Sequence, residues 1–273
     1  MSSHRFWRSP ALPFAESRCA RDSRACYAPH THPGISIGTV DAGCSVFTCD
    51  DRRQALGRGD VVLVPAGAVH ACNPAPNQAW AYQMLTLDET WLQEVVGEMG
   101  QLDAVALTQT GAARSPQSIH AALTRLNASL FGCDENPDKE AALIHFAGEV
   151  FGPLKAVHAG DGLPPAKLAQ LKALIMARCT EPLPLALLAH TAGLSRYHFV
   201  RAFRRAVGMT PHAWQLDARI NRARILLDQG MPLTELALHL GFADQSHFQR
   251  AFKQRVAVTP RQYQRNFLQD LSR

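Results

Sequence analysis

No stretch of the chain approaches the ~20 consecutive apolar residues that cross a bilayer, although 47% of its 273 residues are hydrophobic. The N-terminus, MSSHRFWRSPALPF, is basic but has no continuous apolar segment, so no secretory signal is expected. Seven cysteines (Cys19, Cys26, Cys44, Cys49, Cys72, Cys133 and Cys179) are odd in number and scattered, and no C-x-x-C occurs. That spacing suggests neither a zinc knuckle nor a disulfide framework. It fits a reducing, cytoplasmic setting in which most cysteines are small core residues. Acidic residues are scarce in one half only. Residues 164–273 hold 16 Lys+Arg against 6 Asp+Glu, whereas residues 1–163 hold 12 against 17. Such asymmetry marks the second half for a polyanion.

Within that basic half the same helical unit occurs twice. LALLAHTAGLSRYHFVRAFRRAVGMTP (185–211) is answered by LTELALHLGFADQSHFQRAFKQRVAVTP (233–260). Gly193 matches Gly241 at an offset of 48, and Phe199, Phe203, Val207 and Thr210-Pro211 match Phe248, Phe252, Val256 and Thr259-Pro260 at 49. The second turn is therefore one residue longer. Each copy reads as a short helix, a glycine turn and a longer basic helix. Two copies are too few for a solenoid and suit paired DNA-reading elements.

In the first copy Ser195 is placed to cap the longer helix. Phe199, Ala202, Phe203, Ala206 and Val207 recur at helical spacing and are expected in a core. Arg196, Tyr197, Val200, Arg201 and Arg204 then face outward. In the second copy Phe248, Ala251, Phe252 and Val256 are expected inside, leaving Gln245, Ser246, Gln249, Arg250 and Lys253 outside. Arg pairs with guanine and Gln with adenine in the major groove, while flanking bases such as Arg205 and Arg255 suit phosphates. Between the copies, Thr210-Pro211 opens a helix to about Asp228, roughly 27 Å long at ~1.5 Å per residue. A spacer of that size suits the ~34 Å between successive major grooves on one DNA face.

The segment from about 165 to 268 resembles the DNA-binding domain of AraC/XylS-type transcription regulators. The second copy carries the likeness best, through Leu233, Ala237, Gly241-Phe242, Ser246, Phe248, Phe252, Lys253 and Thr259-Pro260. The resemblance implies base contacts by Tyr197, Arg201, Gln245, Ser246, His247 and Arg250. His247, beside Phe248, serves equally well as a packed or capping residue.

The front half changes period. Residues 1–30 read as irregular. ISIGTV, CSVFTC, DVVLVPA and AWAYQMLTL (within 32–87) are short strands divided by turn residues, as in a small β-barrel or sandwich. Helices follow at 88–100, capped by Asp88; at 115–132, opened by Ser115-Pro116; and at 136–154. The last two carry apolar stripes that suit packing on the barrel or on a second subunit. GDVVLVPAGAVHACN (59–73) resembles the second cupin motif through Gly59, Pro65, Gly67 and His70, with Asn73 one residue early. His30-Thr-His32, with Gly43, resembles the first motif. A cupin-like barrel is also the usual sensor of AraC-type regulators. His30, His32 and His70 suit an all-imidazole metal site, yet Ser36 and Ile37 stand where the motif's glutamate belongs, so no metal or other cofactor is expected. Effector-pocket candidates are His30, His32, His70, Trp80 and Tyr82, with Met84 on the same strand face.

The expected architecture has two domains. An N-terminal all-β cupin-like barrel with added helices (1–156) binds effector and dimerises. A linker (157–165) leads to an all-α domain (166–273) with helix-turn-helices at about 183–208 and 233–257, joined by a linker helix at 211–228. Expected partners are double-stranded DNA, a small-molecule effector, a second copy of the chain and, for an activator, RNA polymerase, but no membrane. Two rivals are a metal-dependent cupin oxygenase or isomerase tethered to a DNA-binding module, and a cysteine-based redox sensor.

Overall fold

The computed structural model describes residues 3–49, 52–99, 115–133, 135–152, 162–256 and 258–264. Most of the expected 157–165 linker lies outside them. The chain forms two compact units, Met1–His158 and Ala159–Arg273. No helix among the described residues is long and apolar enough to cross a membrane.

The first unit is built on two antiparallel sheets. The larger contains β1 (Ser3–Arg8), β2 (Ala15–Ser23), β8 (Trp80–Leu87), β3 (Ile35–Ala42) and β6 (Val61–Val64), in that spatial order. The smaller pairs β5 (Arg52–Leu56), β4 (Ser45–Cys49) and β7 (His70–Pro74). Ala20, Val40, Val62, Trp80 and Tyr82 from the large sheet share one buried cluster with Leu56 and Cys72 from the small one. This is the expected β-rich, cupin-like architecture.

Residues 1–30 are not irregular. Half of them form β1 and β2, an antiparallel pair in continuous register from Ser3–Arg21 to Arg8–Glu16. The buried positions of β2 are Ala15, Ser17, Ala20 and Ser23. Small and polar inward residues give no large apolar alternation, so the strand was hidden.

Among the described residues this unit also has the helices α1 (Glu89–Gly97), α2 (Pro116–Leu130) and α3 (Asn136–Phe151). Asp88 and Ser115 cap the first two, accepting from Trp91 N and Ser118 N. Ile119, Leu123, Leu126 and Leu130 of α2, and Leu143, Phe146 and Val150 of α3, are all buried. The stripes that suited either a barrel or a second subunit are thus covered within the chain. A polar seam joins α2 to the large sheet. Asn127 Nδ2 donates to Gln83 Oε1 (2.7 Å), Gln83 Nε2 donates to Asp41 Oδ1 (2.9 Å) and Thr124 Oγ1 (3.1 Å), and Ser17 Oγ donates to Asn127 Oδ1 (2.6 Å).

The second unit is helical: α4 (Pro165–Ala177), α5 (Leu185–Ala192), α6 (Arg196–Val207), α7 (Pro211–Asp228), α8 (Leu233–His239) and α9 (Gln245–Val256). It has two cores. Leu171 and Ile175 of α4 pack with Leu188, Phe199 and Phe203. Leu216, Ile220, Ala223 and Leu227 of α7 pack with Leu236, Phe248 and Phe252. The repeat is therefore two small helix-turn-helix cores, each around a Phe/Phe pair.

Candidate functional site

In the second copy, the cap of α9 stands one residue further from the turn glycine than in the first. His247 N donates to Asp244 Oδ1 (2.7 Å), the counterpart of His198 N donating to Ser195 Oγ (3.2 Å) in the first. Burial of Phe248, Ala251 and Phe252 turns Ser246, Gln249, Arg250 and Lys253 to solvent, with Gln245 and His247 half-buried. His247 stands edge-on to Phe242 at 5.2 Å. Those exposed side chains are amide, hydroxyl, guanidinium and ammonium, the donor and acceptor types that meet base edges and phosphates.

The first copy differs from its expected arrangement in three positions. Tyr197 and Val200, read as outward, are buried at 6% and 3% exposure, and neither belongs to the Phe199–Phe203 cluster. Part of the cover on Tyr197 is local: Arg201 Nη1 donates to its hydroxyl (3.2 Å), and the His198 ring lies 5.3 Å away. Ala206, read as core, is exposed in the last turn before Gly208 ends the helix at φ 85°. Arg204 and Arg205 are exposed; Arg196 and Arg201 are half-buried.

The two copies are held together from α7. Arg219, 8% exposed, donates through Nε to Cys179 O, through Nη1 to Gly241 O (2.9 Å) and through Nη2 to Glu181 O (3.3 Å). Gln215 Nε2 donates to Cys179 O (3.0 Å) and Glu181 O (2.7 Å). These side chains satisfy main-chain carbonyls in the segment after α4 and at the turn of the second copy. Sequence reasoning missed both, because a mid-helix Gln and Arg look like a solvated face.

In the first unit, His30, His32, His70, Trp80, Tyr82 and Met84 line one cavity of about 90 Å³. An isolated bridge between His30 and His70, closed by two main-chain hydrogen bonds (3.0 and 2.9 Å), sets the imidazoles side by side. Their ligand nitrogens lie within 4.8 Å of one another. His30 Nδ1–H and His70 Nδ1–H donate to Ala28 O (2.9 Å) and Ala68 O (3.0 Å), which leaves each Nε2 free to accept. Burial pushes the His32 and His70 pKa values down, with the neighbouring imidazoles adding to it; the Ala68 bond opposes this at His70. Neutral imidazoles in this arrangement suit a divalent transition metal or a hydrogen-bonding ligand. Ser36, in the place of the motif's glutamate, is bonded to Thr86 Oγ1 (3.0 Å).

Asn73 clamps the rim segment, its Oδ1 accepting from Tyr27 N (2.6 Å) and its Nδ2 donating to Tyr27 O (3.1 Å). Glu16, Arg18, Tyr27, Phe6, Cys72 and Thr86 also line the cavity and were not foreseen. The Tyr82 pKa is raised by burial and by its hydrogen bond with Tyr27. Burial also raises Cys19, to about 11, and Cys72, so neither is a thiolate near neutrality. That removes two of seven cysteines from a thiolate-based redox sensor.

Residues 17–145 match the family model of the AraC-like ligand binding domain, and residues 188–266 match that of a helix-turn-helix domain. The chain belongs to the AraC family. It is a DNA-binding transcription regulator with a cupin-like ligand-binding domain. This AraC-family chain is 25% identical over 225 residues to an uncharacterized HTH-type transcriptional regulator, YbfI, of Bacillus subtilis, covering 80% of this chain and 79% of that one. It is 40% identical over 65 residues to the regulatory protein ada of Salmonella typhimurium, which is 24% of this chain and 18% of that one. Among solved structures, an AraC-type transcriptional regulator from Chromobacterium violaceum is 31% identical, covering 37% of this chain and 92% of that one at a TM-score of 0.36.

Proposed function

We propose that the protein is a cytoplasmic, non-enzymatic regulator whose DNA affinity is set by a small molecule held in the cavity of the first unit. Its two recognition helices, α6 and α9, read successive major grooves, with α7 as spacer. The exposed Ser246, Gln249, Arg250 and Lys253 face on a helix fixed by Phe248 and Phe252 carries this reading. Arg196, Arg201 and Arg204 are the corresponding contacts of the first helix, with Tyr197 and Val200, buried in this structure, between them. Gln245 and His247 complete the second set. An effector acts here only through a difference in affinity between DNA-competent and incompetent arrangements. A homodimer belongs to the reading on family resemblance, and its interface is not the α2 and α3 stripes, which are buried. As an activator the protein would also contact RNA polymerase.

The test starts from duplexes selected out of a random pool. Arg250→Ala and Arg201→Ala are each expected to cost ~1–3 kcal/mol of specific binding and to relax preference at the bases they read. Unchanged discrimination in the titration overturns the assignment. A second reading, a metal-dependent cupin enzyme tethered to a DNA-binding module, is favoured by the imidazole trio within 4.8 Å. Metal analysis of the purified protein decides it: less than about a tenth of an equivalent disposes of that reading.

A further inference from the structure

Arg18 of β2 stands in the cavity inside a cage of aromatic rings. Its guanidinium carbon lies 4.9 Å from the Phe6 ring centroid, 4.8 Å from that of Tyr27 and 5.5 Å from that of Tyr82. One amino group donates to the Tyr27 hydroxyl, which in turn is 3.1 Å from the Tyr82 hydroxyl. Its Nε–H is buried with no acceptor. Among the described residues no carboxylate pairs with it. The carboxylate that lines the same cavity, Glu16, is taken by Arg8, which donates to Glu16 Oε2 through Nε (2.7 Å) and Nη2.

Trp80, another residue of the cavity wall, also carries an unsatisfied donor. Trp80 is 3% exposed and stacked on Tyr82 at 4.3 Å, and its Nε1–H is buried without a partner. A buried donor left unpaired costs ~1–3 kcal/mol, and more when it is charged. The cavity wall thus includes a guanidinium with no carboxylate partner among the described residues, and two of its residues carry N–H groups buried without an acceptor. The rest of the lining includes Met84, Cys72 and the Phe6 ring, the last 61% exposed at the mouth.

We infer that the ligand of this cavity is a small monocarboxylate with a compact apolar body, its carboxylate accepting from Arg18. The inference rests on the effector-pocket reading and names the ligand class. Charge-assisted bonds to a carboxylate are about twice as strong as neutral ones, and the planar guanidinium fork matches a carboxylate; the small, largely aromatic-walled space favours a carboxylate with an apolar body over a fully hydrated tetrahedral anion. Size sets the upper limit. A closed cavity of roughly 150 Å³ holds benzene, so about 90 Å³ seats the carboxylate and the first carbons of the body. A larger body must extend past Phe6.

The test uses the full-length protein with isobutyrate and cyclopentanecarboxylate, each against its amide, in calorimetric titrations with Trp fluorescence as a second readout. The carboxylates are expected to bind at least about tenfold tighter than the isosteric amides. Arg18→Met is expected to abolish that preference, and Arg18→Lys to keep part of it, with circular dichroism showing both variants folded. Equal binding of acid and amide overturns the inference, as does inorganic phosphate binding as tightly as the carboxylates. So does the absence of any carboxylate binding up to about 10 mM. The wild-type comparison needs no variant to fold. Carboxylate-selective binding that leaves operator affinity unchanged upholds the ligand class and overturns only the effector reading.

Discussion

Arg219 Nη1 donates to the main-chain oxygen of Gly241 across 2.9 Å, while the same guanidinium holds Cys179 O. One side chain on the spacer helix thereby joins the segment after α4 to the turn of the second helix-turn-helix. Gln215 shares two of the three carbonyls, so Gly241 O is the one that Arg219 alone of this pair reaches.

Arg219→Met keeps the apolar stem and removes every donor. It is expected to lower the stability of the helical unit by about 3 kcal/mol, since three carbonyls lose a charged partner. Differential scanning calorimetry of the full chain is the measurement, and Arg219→Lys should recover only a fraction, because one ammonium cannot span three acceptors.

Gly241 and Gly193 occupy equivalent turns at φ 74° and 71° but face different surroundings. A Cβ on Gly193 meets nothing within 4 Å, whereas one on Gly241 would sit 2.1 Å from Thr180 O. Gly193→Ala is expected to cost about 1 kcal/mol, the left-handed backbone penalty alone. Gly241→Ala should cost roughly 3 kcal/mol or more, because a backbone carbonyl is in the way. Denaturant midpoints that fall equally in the two variants contradict this.

Lys253 is exposed on the outer face of α9. Under the proposed reading it meets a phosphate, so Lys253→Ala should weaken binding about equally across sequences and reduce the salt slope by about 1. Gln249→Ala should instead change sequence preference with the slope unaltered. Fluorescence anisotropy at several salt concentrations separates the two.

Glu149 of α3 accepts from Arg125 Nη2 of α2 (2.9 and 3.0 Å) and lies 3.3 Å from His145 Nδ1. The hydrogen bond from His145 holds its carboxyl below the ordinary 4.5, with the charge of His145 and the bond and charge of Arg125 helping, and burial opposing. A carboxyl depressed in the folded state stabilises fully above its unfolded value and loses that contribution as pH falls through the folded one. Thermal melts should therefore show wild-type protein losing stability below about pH 4.5 faster than Glu149→Gln. Identical acid limbs refute the assignment.

The helical half was legible because its cores are made of large aromatics at helical spacing: Phe199, Phe203, Phe248 and Phe252 are all fully buried. Its caps, Ser195, Thr210 and Asp88 in the first unit, are residue types with one strong local preference. The histidines and the Trp80/Tyr82/Met84 face were legible from motif spacing and from the two-residue period of a strand. Arg18 was not. It sits among Arg5, Arg8, Arg21 and Arg24, and only the β2–β8 register, which sets Arg18 opposite Met84, places it over the cavity. The burial of Tyr197 and Val200 was equally out of reach, since their spacing on the helix set them opposite Phe199 and Phe203.

Strand β8 carries two surfaces that meet nowhere except in its own backbone. Tyr82 and Met84 look into the cavity, and Gln83, between them, grips Asp41, Thr124 and Asn127 on the reverse side. The cavity wall and the contacts to α2 thus alternate along one strand, a single residue apart. Substitutions on the near side retune what is held, those on the far side retune what helix α2 registers, and each can change without rewriting the other.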